Sequence, residues 1–307
     1  MQHETTNCHR HDCVSVREIV MNDVPIVLET NLQRRAAFVL SIDVDPTLDT
    51  TRFVVEPPAI PWKTEDGEIH AICEMHGGFP RILLPRIGIV RVVDESGQVH
   101  GTVTSADKSP LLMEVYYRFA LPMILQAAGA EMLHASAVRI KSGVVGFCGV
   151  SGTGKSTLAF TMSRRNHPHW ADDSLVFVPR DQTFQALRLP FRPRVEIAAD
   201  SDVAFVSGTE AAPLAAMVIL QRLAGGFVAE DAFRVEINRF SSADAFRALM
   251  PHIFSFLLSD SKRNALMMAR YFDLAARLPI FDVRFTPCLD ALPKLCAAIE
   301  DACFAAL

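Results

Sequence analysis

The chain has 307 residues, half of them hydrophobic and 21% charged, with a formal net charge of −5 at pH 7. That length holds one large domain or two ordinary ones with ample apolar cores, and so small a net charge excludes a sequence-independent nucleic-acid binder. The start, Met1-Gln-His-Glu-Thr-Thr, lacks the basic and apolar segments of a signal peptide, and seven cysteines without such a signal point to reduced thiols in a cytoplasm.

Near the start, Cys8, His9, His11 and Cys13 cluster, with His3 upstream. Thiolate and imidazole are zinc ligands, but this spacing matches no standard zinc module, and an unstructured terminus is the alternative. From residue 14 to 103 the pattern is mostly strand-like. Short β-branched runs at 37–44, 52–56, 88–93 and 99–103 are divided by turn-rich stretches. Residues 1–108 therefore read as a β-rich N-terminal region without a chemical motif. A helical pattern then runs from Ser109-Pro110 to about Ala128, with Pro122 expected to kink it. The apolar stretch 111–133 also holds Glu114, Arg118, Pro122 and Glu131, which fits a buried helix better than a membrane span.

Two strands follow, 133–140 and 144–148, joined by Lys141-Ser142-Gly143. If they pair as a tight hairpin, opposite residues sum to about 283–285, which sets His134 across from roughly 149–151. The second strand runs into Gly149-Val150-Ser151-Gly152-Thr153-Gly154-Lys155-Ser156-Thr157, and helical spacing leads out of it. This is the P-loop pattern in its proper strand–helix setting. Glycines let backbone N–H groups converge on a polyphosphate, and the helix N-terminus adds a fixed positive end. Lys155 is placed to reach the β- and γ-phosphates and Ser156 to take Mg²⁺. The chain is expected to bind a nucleoside triphosphate.

Beyond the P-loop helix, residues 169–178 read as a strand with Asp172 and Asp173 near its start. Ordinary P-loop ATPases and GTPases place their Mg²⁺-holding Asp at the end of an apolar strand, whereas here the acids precede the long apolar run. Residues 189–197 read as extended and contain Glu196. Strands are expected at 216–221 and 232–238, and Ser242 is a candidate N-cap for a helix from Ala243. A helix over 263–277, a strand over 278–285 and a terminal helix from 289 complete the chain.

The ordered series His134, P-loop, Asp172-Asp173, with the ending Leu278-Pro-Ile-Phe-Asp-Val-Arg-Phe and Leu289-Asp-Ala-Leu, resembles the HPr kinase/phosphorylase family. It is similar to the catalytic domain of those serine kinases and to related kinases of peptide-modification clusters, including those acting on lasso-peptide precursors. The resemblance covers about 110–307 and implies an α/β fold. That fold is a P-loop kinase core of the HPr kinase/phosphoenolpyruvate carboxykinase type, occupying 109–307. It further implies that Asp173 takes the acceptor hydroxyl's proton, that Asp172 sits beside it near the metal, and that His134 orients or tunes the base. Where the family has a glutamate opening a glycine-rich segment, this chain has Arg192-Pro-Arg-Val-Glu196-Ile, without the glycines. Glu196 is the candidate second metal ligand. Arg222, Arg234 and Arg239 all compete for the family's catalytic arginine.

The expectation is an ATP- and Mg²⁺-dependent kinase that phosphorylates a serine or threonine hydroxyl of a peptide or protein, a ribosomal precursor peptide being favoured. A kinase of the HPr carrier protein, a kinase of a small hydroxyl metabolite and a nucleotide-gated binding protein are the alternatives. No nucleic-acid partner and no membrane span are expected, and a homo-oligomer is left open.

Overall fold

The computed structural model describes residues 39–50, 60–63, 67–76, 79–93, 98–191, 210–255 and 260–304. The Cys8–Cys13 cluster, the strand expected over 52–56 and Glu196 lie outside them. The chain divides into two compact units that part between Met113 and Glu114.

The first unit is a mixed sheet of β1 (Val39–Val44), β2 (Ile60–Lys63), β3 (Ile69–His76), β4 (Phe79–Leu84), β5 (Gly88–Val92) and β6 (Gln98–Val103). β2 to β6 form an antiparallel meander, and β1 lies parallel to β6 at its edge. Alternation sends Ile82 and Leu84 of β4, Val90 of β5, and Val99 and Val103 of β6 into its core. Leu112 packs closely on Gly101, where an added Cβ would stand 2.7 Å from the leucine Cδ2.

Helix α1 (Ser109–Val115), a π-helical turn (Tyr116–Ala120) and α2 (Leu121–Ala127) run end to end. Where a kink is expected at Pro122, the helix carries a wide turn that ends two residues before the proline, which has no N–H for the helical ladder.

The second unit holds β7 (Glu131–Leu133), β8 (Ala135–Ile140), β9 (Gly143–Cys148), α3 (Lys155–Ser163), β10 (His169–Ala171), β11 (Leu175–Arg180), β12 (Thr183–Arg188), β13 (Glu210–Arg222), β14 (Val235–Arg239), α4 (Ser242–Leu249), α5 (Ser261–Arg277), β15 (Ile280–Phe285) and α6 (Leu292–Phe304). β13 is the hinge of the topology. Its first residues pair antiparallel with β12, and its later ones pair parallel with β9 on one side and β15 on the other. Among the described strands the order on that later half is β10-β8-β9-β13-β15-β14.

Every residue of β9 is buried, because helices cover both faces. Val145 and Phe147 face a layer made by Leu158, Ala159 and Met162 of α3 with Leu295, Cys296 and Ile299 of α6. Val144 and Cys148 face Met267, Tyr271 and Leu274 of α5. Each of the Val, Leu, Ile, Phe and Met side chains among them contributes about 1.5–3 kcal/mol on full burial. Glu300 on α6 pairs with Arg165 at 3.0 Å and with His167 at 3.1 Å, tying down the C-terminal end of α3. The N-cap of α4 is Ser241, not Ser242: its hydroxyl accepts from the Asp244 N–H, so the helix starts one residue earlier than expected. Among the described residues the five cysteines are buried and form no disulfide, and no helix is long and apolar enough to cross a membrane.

Candidate active site

β9 delivers the chain into the glycine loop, and the loop's geometry follows from its residue types. An added Cβ at Gly149 would lie 2.9 Å from the Leu220 carbonyl oxygen and 3.3 Å from Thr153, so only glycine lets the loop start so close to β13. Gly152 (φ 77°) and Gly154 (φ 104°) adopt left-handed conformations that other residues resist. Thr153 closes the turn, its Oγ1 donating to the Val150 carbonyl at 2.6 Å and its N–H at 3.2 Å. Gly154 caps α3 without a side chain. The first-turn amides of α3 therefore remain for an anion.

Lys155 opens α3 and is buried, its Nζ folded back onto the carbonyls of Gly149 (2.8 Å) and Val150 (3.4 Å). Burial lowers its pKa, while Cys148, Asp173 and Asp172 pull it back up. The Cys148 thiol at the end of β9 is pushed up to about 12 by burial.

The two acids do not stand in one strand. β10 ends at Ala171 and β11 begins at Leu175, so Asp172 and Asp173 occupy a bend between them. Asp173 has φ 68°, a left-handed conformation that aspartate tolerates better than most side chains. The bend sends the carboxylates to different partners. Asp172 Oδ1 accepts from Ser156 Oγ of α3 and from Ser136 Oγ of β8, each at 2.7 Å. Asp173 Oδ2 lies 3.9 Å from Arg118 Nε, and Arg118 also reaches Glu114 at 3.4 Å. Pro122 has no N–H to offer the Arg118 carbonyl, and Ser174 Oγ donates to that oxygen at 3.3 Å.

His134 sits between β7 and β8. Ala135 pairs with Cys148, so opposite residues sum to 283, and the next pair in that register would be His134 with Gly149. Burial and Lys155 lower the His134 pKa. The Asp173 carboxylate, a hydrogen bond with the Asp173 main chain and Asp172 act in the other direction. The imidazole is thus neutral near pH 7 and holds the Asp173 backbone. β7 is fixed in turn by α5. The carboxylate of fully buried Glu131 accepts from Arg263 at 2.9 Å and from Arg270 at 3.0 Å, and Tyr271 Oη accepts from the Met132 N–H at 3.1 Å.

Three side chains enter this region that sequence reasoning did not place. Arg118 had only the signal of a lone cation in an apolar helix before a proline. His252 had none: its carbonyl accepts from the His134 N–H at 2.7 Å, and its buried ring is lowered to about 4 by burial, Lys155 and His134. Ser136 supports Asp172 from the hairpin. Among the competing arginines, Arg222 at the end of β13 donates from Nε to the Thr153 carbonyl at 3.3 Å. Arg234 and Arg239 belong to the β14–β15 pairing, Arg234 through its N–H to Thr286 Oγ1 and Arg239 opposite Phe281.

This donor set suits a Mg²⁺–polyphosphate. A serine hydroxyl and a carboxylate oxygen meet beside a lysine and a helix N-terminus, all hard oxygen or cationic groups. Among the described residues no three His, Cys, Asp or Glu side chains gather closely enough to hold a metal alone. A cation here would rest on Ser156, Asp172 and the phosphates themselves.

No family model matches the chain, and no curated protein matches it. Among solved structures, the HPr(Ser) kinase/phosphatase from Coxiella burnetii aligns with 55% of this chain and 86% of its own length, at 13% identity and a TM-score of 0.29. At that score the likeness fixes neither fold nor function, and the chemistry stands on the residues.

Proposed function

We propose that the chain is an ATP- and Mg²⁺-dependent kinase that transfers the γ-phosphate to a serine or threonine hydroxyl of a peptide or protein. The observation that carries this reading is the meeting of three elements. Ser156 and Lys155 of the P-loop helix, Asp172 and Asp173 of the β10–β11 bend, and His134 of the hairpin gather at one end of β9.

In this reading the loop amides and Lys155 grip the phosphates, Lys155 leaving its carbonyl partners as the anion arrives. Ser156 and Asp172 would hold Mg²⁺, with Glu196 the sequence's candidate for a further ligand. When bound, Mg²⁺ neutralises charge on the β- and γ-phosphate oxygens. The acceptor oxygen bonds to the γ-phosphorus as the bond to the β,γ-bridging oxygen breaks, and the hydroxyl proton passes to the Asp173 carboxylate. Proton loss is late in so loose a transition state, so a carboxylate of modest basicity suffices. Neutral His134 keeps Asp173 in its bend without adding a second positive charge. Arg222 supports the loop from the β13 side.

The sequence resemblance to peptide-modification kinases favours a precursor peptide over a carrier protein. The test is mass spectrometry of serine-containing peptide and protein acceptors after incubation with Mg²⁺-ATP. Phosphoserine on a peptide supports the reading. ATP turnover with no phosphorylated acceptor, peptide or otherwise, overturns it in favour of a nucleotide-gated binding protein.

A further inference from the structure

The three most exposed large apolar side chains among the described residues are Val150, Phe227 and Leu289, at 72%, 66% and 61%. They are not scattered. Each lies in the loop that follows one of three adjacent parallel strands: Val150 after β9, Phe227 after β13, Leu289 after β15. Those loops are also tied together. Arg222 Nε donates to the Thr153 carbonyl, its guanidinium lies 5.7 Å from the Phe227 ring centroid, and the Val228 N–H donates to the Pro287 carbonyl at 2.9 Å. A Cβ added at Gly225 or Gly226, just before Phe227, would meet no atom within 4 Å.

Strand order gives this cluster a direction. The acids and His134 stand on the β8–β10 side of β9, whereas β13 and β15 lie on its other side. A nucleotide that lies along the strand ends with its terminal phosphate toward the acids extends from the P-loop toward β13 and β15. We propose that the loops after β13 and β15 form a nucleobase site, in which a purine stacks on Phe227. Arg222 backs the ring from the P-loop side, and Val150 and Leu289 border the stack. A flat aromatic base covers the exposed apolar surface, and a two-ring purine covers more of it than a pyrimidine. The inference rests on the nucleotide-binding reading above and adds to it the base-recognising residues.

Isothermal titration of the full chain with Mg²⁺-ADP and with Mg²⁺-pyrophosphate tests it. Phe227→Ala should raise the Kd for ADP about tenfold and leave that for pyrophosphate unchanged. Phe227→Trp should bind ADP at least as tightly as the wild type. Because the ring is largely exposed, truncation should leave the circular dichroism spectrum intact. If Phe227→Ala is misfolded, Phe227→Trp decides alone. Unchanged ADP affinity in Phe227→Ala, an equal loss for both ligands, or weaker ADP binding by Phe227→Trp overturns the base site. If the wild type binds neither ligand, the nucleotide reading itself falls before any variant is compared.

Discussion

Ser156 Oγ donates a 2.7 Å hydrogen bond to Asp172 Oδ1 across 16 residues of sequence, joining the first turn of α3 to the β10–β11 bend. The same oxygen takes Ser136 Oγ at 2.7 Å, so three segments meet on one carboxylate oxygen. Asp173, one residue on, turns to Arg118. The paired acids are therefore separable by mutation.

Asp173→Asn keeps the bend's shape and removes the proposed base. Nucleotide binding should survive while phosphoryl transfer falls about 10²–10⁴-fold. Asp172→Asn should instead raise the Mg²⁺ concentration needed for activity. Titrations of nucleotide and Mg²⁺ against both variants separate the roles, and near wild-type transfer by Asp173→Asn reverses them.

Lys155→Ala removes the buried ammonium that holds the loop carbonyls and is proposed to face the γ-phosphate. Transfer at saturating ATP should drop at least about a hundredfold. An initial-rate assay settles it, and activity within a few-fold of wild type would remove the P-loop from the mechanism.

Gly149→Ala and Gly152→Ala should differ. At 149 the new Cβ meets the Leu220 carbonyl oxygen at 2.9 Å, a main-chain atom that moves only with β13. The cost should be about 2 kcal/mol or more. At 152 nothing lies within 4 Å and only the left-handed φ resists, costing about 1 kcal/mol. Urea midpoints of the two variants give the order directly.

His252 carries a pH dependence. Its pKa is lowered from 6.5 to about 4 in the folded chain. Between those values the unfolded state binds more protons, so stability is full above about 6.5 and is lost as pH falls towards 4. The loss from this one group is at most about 3 kcal/mol. His252→Gln should flatten that limb, and urea unfolding of both proteins at pH 7 and pH 4.5 should show the gap closing toward acid.

The backbone geometry of the glycine loop at 149–157 is legible in the sequence because its constraints are local. Glycines with positive φ, a strand ending at Cys148 and a helix opening at Lys155 all leave marks at fixed spacing. The hairpin register was legible for the same reason, a short turn leaving little freedom. What escaped is non-local or irregular. The His134 N–H meets the His252 carbonyl across a long sequence separation, and no spacing announces it. The run 169–178 read as one strand because its apolar pattern is continuous, yet Asp173 takes a left-handed turn inside it. β3 and β4 lack a clean alternation, because each holds three apolar residues in a row, Ala71-Ile72-Cys73 in the one and Ile82-Leu83-Leu84 in the other.

The buried cysteines make the two compact units separately observable. Cys73 belongs to the first unit and Cys148, Cys288, Cys296 and Cys303 to the second. Burial pushes the thiols of Cys73, Cys148 and Cys303 up to about 12, so each is doubly protected from alkylation, by lack of access and by lack of thiolate. Alkylation must then await local opening, and its rate at each sulfur measures how often that part of the chain breathes. Peptide mapping after timed exposure to iodoacetamide would give the two units independent stabilities in the unaltered protein. A slowing at Cys148 on adding Mg²⁺-ADP, with Cys73 unchanged, would report ligand binding at the loop without any assay of turnover.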